Sequence, residues 1–480
     1  MIVPDAYPDA ASLLDTAGVC CLHSKEASEG SASLSGQLHC TILYLPEGEG
    51  ELHSLRSELP FQCSLEQEEI KADCTLLALP SILSAETRAI NPRKLLLRVT
   101  YQLDLRVFRP ETLLIPCSVL VPEGEVKQVE ERQEQAEGFF TIAVPERRFQ
   151  FRDQLNLSGG QPSMTELLRV QASLSGTEAK LIGGKLVFKG DVSLRALYRS
   201  ETGEILPAEF VLPYSQIMDV PEGETAEFQL DVVLLNWTLG EISGDGRSVT
   251  VELDLYACAE LYATKTLALL ADAYSIRQDT QPAFHPYVFP RLEERTPRRE
   301  SSRELVETGD RELTVLDLRC AVVQTENVTT PGQVLCKATV QADLICVDEE
   351  GALEHLSHPL HLESAISVTE DVETRVSCVL TERAALPAAS GIELRVGVLF
   401  QPLLLRREEH LCVTRLEADE THPQEQGNRP SIVLRQLEEG ESLWDIAKAC
   451  GTTVLEIVQA NELETETAET GRLLLIPHRR

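Results

Sequence analysis

Internal repetition constrains the fold of this chain more than any other feature of its sequence. Six residues recur 154 positions further along without a gap, and they form the pairs Pro8/Pro162, Leu13/Leu167, Leu14/Leu168, Gly36/Gly190, Leu43/Leu197 and Tyr44/Tyr198. After a one-residue deletion the match continues, because Leu59-Pro60-Phe61 corresponds to Leu212-Pro213-Tyr214. The sequence therefore predicts two copies of one domain.

A third, weaker copy follows the second. It places Ala338 at the position of Gly190 and Cys346 at the position of Tyr198, so the aromatic residue of the pattern is lost. The correspondence also includes Leu316, Gly351 and Leu360, which match Leu168, Gly203 and Leu212. We expect the three copies to share one fold with the same strand order.

Each copy alternates apolar and polar residues, as between Leu186 and Tyr198. A period of two places alternate side chains on one face of a half-buried strand. Further alternating stretches lie at 95–105, 249–257 and 392–400, and glycine-containing turns separate the strands. The pattern predicts antiparallel β-domains with little helix.

The segments between the copies differ in composition. Val126–Ala136 is rich in Glu and Gln, which favours a short helix, whereas Gln278–Arg311 and Glu417–Pro430 have the composition of linkers. A chain of 480 residues also exceeds a single ordinary core. The predicted β-domains span 1–125, 155–277 and 312–413, with a connecting segment at 126–154, linkers at 278–311 and 414–430, and a terminal domain at 431–480.

The last fifty residues show a β-α-α-β pattern. Leu443, Ile446, Ala447 and Cys450 have the spacing of one helix face, and Ser442 is placed to cap that helix. Residues 451–453 end this helix and cap a second one, and Leu473–Pro477 forms a closing strand. The predicted fold class is therefore mainly β: three repeated antiparallel β-rich domains followed by a small βααβ domain.

The motif G-E-S-L-W-D-I-A, then Asn461, then G-R-L-L-L-I-P, resembles the LysM module. In that family the glycan groove lies between the loop after the first strand and the loop after the second helix. The resemblance therefore implies a binding site formed by Gly440, Glu441, Ser442, Leu443, Ala460, Asn461, Glu462 and Leu463. Both loops are acidic, and Arg435 stands where the family often has an aromatic residue, which favours a basic protein ligand over a sugar.

The opening V-P-D-A-Y-P-D, the recurring L-P-F or L-P-Y and the LysM-like ending together resemble the SPOCS-domain proteins of spore-forming Firmicutes. The resemblance implies a non-catalytic scaffold or adaptor in spore coat assembly, located in the mother-cell cytoplasm at the forespore surface. Its partner would be the coat basement-layer morphogenetic ATPase or another coat protein. The alternative is a peptidoglycan-binding protein of the cell wall or spore cortex, recognising an N-acetylglucosamine polymer, with the β-domains as spacers.

Composition narrows the classes of partner. The chain has 77 Asp and Glu against 43 Lys and Arg, a net charge of -34, which repels nucleic acid phosphates and anionic lipids. Its first residues do not have the pattern of a secretory signal, and no window approaches the ~18 apolar residues of a membrane span. The 13 cysteines include no C-x-x-C pair and lie mostly in apolar strands, as expected for reduced thiols in the cytoplasm.

Enzyme motifs are missing from the sequence. It contains no H-E-x-x-H, G-x-S-x-G, P-loop or dinucleotide-binding pattern. His355, His358 and His361 recur every three residues, but this spacing on a strand does not converge on a metal. We therefore expect no catalytic residues, no cofactor and no bound metal.

Overall fold

A computed structural model describes residues 1–47, 50–120, 129–221, 227–309, 311–369, 372–423 and 431–477. Within these ranges regular structure consists of β-strands, apart from two short helices close to the C-terminal end. The prediction of a mainly β protein is confirmed. No helix in the described ranges is long and apolar enough to cross a membrane.

The elements follow one another in four groups along the chain. The first group contains β1 (Ala10–Ser28), β2 (Ser31–Pro46), β3 (His53–Glu66), β4 (Thr75–Asn91), β5 (Lys94–Phe108), β6 (Val129–Ala143) and β7 (Glu146–Asn156). The second contains β8 (Met164–Ile182), β9 (Lys185–Ser200), β10 (Ile205–Asp219), β11 (Glu227–Ile242), β12 (Ser248–Ser275), β13 (Gln278–Glu294) and β14 (Arg298–Glu307). The third contains β15 (Thr314–Thr330), β16 (Gln333–Val347), β17 (Leu353–Ser367), β18 (Glu373–Ala388) and β19 (Gly391–Pro423), and the fourth contains β20 (Ile432–Gln436), α1 (Leu443–Cys450), α2 (Val454–Ala460) and β21 (Leu473–Pro477).

One strand order recurs in three units. Strands β1-β2-β3, β8-β9-β10 and β15-β16-β17 form antiparallel three-stranded sheets, in each of which consecutive strands are neighbours. An antiparallel hairpin follows each sheet, and these hairpins are β4-β5, β11-β12 and β18-β19. The recurrence of sequence between these stretches is therefore accompanied by a recurrence of topology.

The repeated proline and tyrosine of the sequence pattern contact each other. The Tyr44 hydroxyl donates to the Pro8 carbonyl at 3.1 Å, and the Tyr198 hydroxyl donates to the Pro162 carbonyl at 3.2 Å. Both rings are fully buried. A buried hydroxyl needs a partner, so the segment that carries the proline is held against its sheet at the same place in both units.

The repeated glycine makes room for an aromatic ring across the sheet. Gly190 pairs with Tyr214, and a methyl group on Gly190 would lie 2.5 Å from the Tyr214 hydroxyl oxygen. Gly36 has the same relation to a ring of its own neighbouring strand. In the third unit Ala338 pairs with Leu362, so the glycine and the ring have changed together.

The three units pack around a common axis. Residues from corresponding positions of all three units meet in one apolar cluster formed by Leu14, Leu168 and Leu316, by Leu43, Leu197 and Ile345, and by Leu52, Ile205 and Leu353. Each unit contributes residues to this cluster, so its burial depends on all three. The units therefore form a joint core within the chain.

A buried ion cluster lies beside this apolar cluster. Arg169 is 2% exposed and bonds the carboxylates of Asp15 and Asp317, which occupy the corresponding positions of the other two units. Arg319 adds contacts to Asp15 at 3.4 Å and to Asp343 at 2.6 Å. Burial alone would raise the pKa of Asp15, but Arg319 and Arg169 hold it below its ordinary value.

Three expectations about the connecting segments are corrected by the structure. The segment expected to form a short helix is strand β6 from Val129 onward, and positions 126–128 lie outside the described residues. The expected linker at 278–311 contains strands β13 and β14, and β19 continues through the start of the expected linker at 414–430 as far as Pro423. Backbone pairing with the long strands β12 and β19 outweighs the local composition of these segments.

The chain divides into two compact units. One unit consists of 1–111, 141–263 and 292–406 and contains the three sheets and most of their hairpins. The other consists of 112–140, 264–291 and 407–480 and contains the βααβ module. The seven domain limits given above from the sequence remain predictions.

Candidate functional site

The C-terminal module is organised by two capped helices. Ser442 caps α1 in a capping box with Asp445, and Thr453 caps α2 in the same way with Glu456. Gly451 ends α1 with φ at 64°, a left-handed conformation that glycine adopts without strain. The predicted roles of Ser442 and of the residues between the helices are confirmed.

The module has a compact core of its own. Trp444, Ile446, Ala447 and Ile476 belong to this core and are at most 8% exposed. Strands β20 and β21, which precede and follow the two helices in the sequence, pair in antiparallel fashion and close the module. Packing therefore fixes the backbone of the loop between β20 and α1 and of the loop after α2.

The first loop has a defined conformation. Gly440 adopts a φ of 82°, and the Glu441 amide donates to the Glu438 carbonyl at 3.3 Å. The Glu441 carboxylate forms an ion pair with Arg435 and is only 16% exposed. Leu443, one of the predicted site residues, is 2% exposed and lies in the core, so it offers no apolar anchor to a ligand.

The second loop is held by Asn461. Its side-chain amide donates to the carbonyls of Ile457 at 2.8 Å and Leu475 at 2.7 Å, and its carbonyl accepts from the Leu475 amide at 2.7 Å. Asn461 thus ties the end of α2 to β21. Glu462 has a φ of 52°, unusual for a residue with a side chain, and its carboxylate is exposed.

The eight predicted site residues are brought together in these two loops but differ in availability. Gly440, Ser442, Ala460 and Glu462 are exposed, whereas Glu441, Asn461 and Leu463 are partly buried. Exposed Glu438, Glu439 and Glu464 flank the loops. The available surface is therefore smaller and more acidic than the eight residues alone suggested.

Family models match three stretches of the chain. The LysM domain matches 437–477, and the model described as SipL, SPOCS domain matches 9–88 and 149–240. In carrying both a SPOCS and a LysM stretch, the chain resembles SipL. Comparison with curated proteins and with solved structures found no match.

The matched stretches correspond to the structural units. The two SPOCS stretches include the sheets β1-β2-β3 and β8-β9-β10, while the third sheet lies outside them. The SPOCS domain is sporulation-related, both families are non-enzymatic binding or scaffold domains, and LysM domains bind peptidoglycan or protein. In the described ranges no three His, Cys, Asp or Glu side chains are grouped to hold a metal ion.

The LysM domain is attached to the rest of its compact unit by the face of α1 that carries Trp444 and Lys448. The Trp444 indole N–H donates to Asp272 at 2.8 Å, and the Lys448 ammonium group lies 2.8 Å from both Asp272 oxygens. The Tyr274 hydroxyl donates to the Thr452 carbonyl at 2.7 Å, and burial raises the pKa of Tyr274. Helix α1 is therefore bound to the end of β12.

This contact was not foreseen from the sequence. Trp444 and Lys448 are four residues apart on one helix face, which is a usable signal, but their partner lies 172 positions before Trp444. The ring of Tyr274 packs on Trp444 with centroids 5.0 Å apart, and Tyr274 is part of the LysM core cluster. The tryptophan of the motif is thereby used within the chain.

Proposed function

We propose that this chain is a non-catalytic scaffold or adaptor of spore coat assembly that docks through its LysM domain to a coat morphogenetic protein. The coat basement-layer morphogenetic ATPase is the first candidate partner, and another coat protein is the second. The chain would act in the mother-cell cytoplasm, at the forespore surface. The observation that carries the proposal is the acidic, ring-free character of the two LysM loops.

Electrostatics favours a basic protein surface as the ligand. Glu438, Glu439, Glu462 and Glu464 are exposed around the two loops, and the whole chain carries a charge of -34. Carboxylates grouped in this way attract a basic patch and speed its encounter, an effect that salt weakens. A neutral glycan gains nothing from such a field.

Peptidoglycan remains the second candidate ligand because LysM domains include binders of peptidoglycan. Sugar rings are commonly held by exposed aromatic rings, and none of the eight loop residues is aromatic. The LysM tryptophan, Trp444, is 8% exposed and packed on Tyr274. This arrangement supports the protein ligand over the glycan.

The test is a double charge reversal, Glu439→Lys with Glu462→Lys, in the full chain. Glu441 is avoided because it pairs with Arg435, and a lysine there would disturb the loop itself. Binding to the purified basement-layer ATPase is measured by interferometry at two salt concentrations. We expect the reversal to weaken binding at least about tenfold at low salt, with a smaller difference at high salt.

The matched control is Glu68→Lys with Asp73→Lys, which changes the net charge equally at exposed positions of the first SPOCS stretch. It should leave the affinity within about twofold if the loops form the contact. Equal weakening by both variants would show that only overall charge matters. If the loop variant keeps the ATPase but loses insoluble peptidoglycan in a sedimentation assay, the glycan-binding function is the correct one.

A further inference from the structure

A cleft of about 410 Å³ lies between the first sheet, β1-β2-β3, and strands β8 and β11 of the second unit. All of its walls belong to the compact unit that holds the three sheets. Its size falls within the ~300–1,000 Å³ of small-molecule sites. It is distinct from the LysM loops and plays no part in the proposed docking.

Four residues of the cleft wall carry a buried nitrogen that has no hydrogen-bond partner among the described residues. These atoms are His39 Nε2, Arg169 Nε, Gln171 Nε2 and Trp237 Nε1. Folded proteins leave few buried polar atoms unpaired, because each one loses its bonds to water without replacement. The four residues that carry these atoms line one cleft, so a molecule bound there is the nearest source of acceptors outside the chain.

The feature is specific to this junction between units. In the β11-β12 hairpin Trp237 pairs with Leu253, and the matching pair of the third unit is Arg383 with Val396. In the first unit the matching position is Ala85, paired with Val99. The matching positions of the other two units carry no aromatic ring, so the shared fold does not require one at Trp237.

Gln171 shows the same divergence. It pairs with Arg195 on the neighbouring strand, and the matching residue of the third unit is Arg319, paired with Asp343. Arg319 is satisfied by that aspartate and by the Thr16 carbonyl at 3.2 Å. The junction between the first and second units therefore brings the indole of Trp237 and the amide of Gln171 to one cleft.

The charge balance of the cleft argues against an anion. The Arg169 guanidinium already bonds two carboxylates. The wall also holds Arg56, which donates to the Leu167 carbonyl at 3.0 Å, and Glu58, which accepts from Gln37 at 2.8 Å, so these two charges offset each other. Burial lowers the pKa of His39, although Glu58 acts in the opposite direction, so this ring adds no positive charge at neutral pH. An oxyanion would meet no excess of positive charge.

A hydroxylated ring fits the chemistry that remains. The N–H groups of Arg169 Nε and Trp237 Nε1 can only donate, so they require oxygen acceptors, while Glu58 can accept from a hydroxyl. The indole of Trp237 offers a flat apolar face beside these groups. We propose that this cleft binds a small neutral saccharide, a single sugar ring or a disaccharide unit.

Trp237 also provides the readout, because it is one of only 2 tryptophans in the chain. The full chain is titrated with glucose, galactose, N-acetylglucosamine and their disaccharides, and with citrate and phosphate as anionic probes. We expect saturable fluorescence change and calorimetric heat with at least one saccharide and with neither anion. Gln171→Leu, which keeps the size but removes the amide, should lower the affinity about tenfold, the effect of one hydrogen bond.

Two further variants complete the test. Gln62→Leu, an exposed position outside the cleft, should bind like the parent chain. If Gln171→Leu fails to fold, Trp237→Phe is used instead, with binding measured by calorimetry. It keeps an aromatic ring but removes the indole N–H, and it should also bind more weakly. The proposal is overturned by binding that Trp237→Phe leaves unchanged, by saturation with citrate or phosphate instead, or by no saturation up to about 10 mM, tenfold above a weak Kd of about 1 mM.

Discussion

Replacing Arg169 by methionine tests whether the ion cluster holds the three units together. Methionine keeps most of the volume and length of the side chain but removes the charge that Asp15 and Asp317 share. Asp15 retains Arg319 at 3.4 Å, whereas Asp317 has no other cation within salt-bridge distance in the described ranges. The substitution therefore leaves the buried carboxylate of Asp317 without a cation and removes one of the arginines from that of Asp15.

The magnitude follows from the burial of the partners. The side chains of Arg169, Asp15 and Asp317 are 3%, 5% and 10% exposed, so solvent screening gives little relief. Removing one partner of such a pair costs about 3–5 kcal/mol. A carboxylate of ordinary pKa can instead take up a proton at pH 7 for about 4 kcal/mol, which sets a ceiling for each stranded group. Since Arg319 still serves Asp15, we expect a loss of about 3 kcal/mol at pH 7.

Urea unfolding followed by Trp237 fluorescence measures this loss, with Arg88→Met as the control. Arg88 is 79% exposed, and its replacement should change stability by no more than about 0.5 kcal/mol. The pKa of Asp15 is depressed in the folded chain, so its contribution is complete above the unfolded value of about 3.9 and is lost as the pH falls below it. The difference between the Arg169 variant and the parent should therefore shrink in acid. A loss below about 1 kcal/mol at pH 7, or one that does not shrink as the pH falls from about 5 to about 3, refutes the reasoning.

Two other substitutions test contacts that recur or that join distant segments. Gly190→Ala should destabilise the second sheet by about 1–3 kcal/mol in thermal unfolding, because the added methyl group would lie 2.5 Å from the Tyr214 hydroxyl. The control is Gly159→Ala, whose methyl group meets open space and should leave stability nearly unchanged. Asp272→Ala leaves the Trp444 indole N–H without its acceptor, at a cost of about 1–3 kcal/mol. Hydrogen exchange in α1 should then accelerate, and unchanged exchange would show that this contact does not hold the helix.

The attachment of α1 to β12 bears on how the LysM domain can act. Trp444, Lys448 and Asp272 commit one face of α1 to the chain itself. The two loops keep their exposed carboxylates, which are not used in this contact. A LysM domain held in this way presents a pre-organised surface, which lowers the entropic cost of docking.

Much of the architecture was readable from the sequence because the deciding interactions are local or periodic. Alternation with a period of two identifies strands wherever one face is buried, and capping residues such as Ser442 and Thr453 mark where short helices begin. The same local logic explains the errors. Val129–Ala143 has the polar composition of a helix or linker, but no local rule shows that the backbone of the long strand β12 is available to pair with it.

The sequence by itself determined the β-strands, from alternation within each strand, their repetition, from matches 154 positions apart, and the LysM module, from spacings within its last fifty residues. The binding role of its two loops is implied by the resemblance and stays a prediction. Only the tertiary structure decided which side chains in those loops are free, because Leu443 and Asn461 are taken by the core and by β21. It also decided that Asp15, Arg169 and Asp317 meet, and that four residues with an unpaired nitrogen line one cleft. Contacts between residues more than a hundred positions apart depend on how complete sheets pack, and a single sequence carries no periodic signal for such packing.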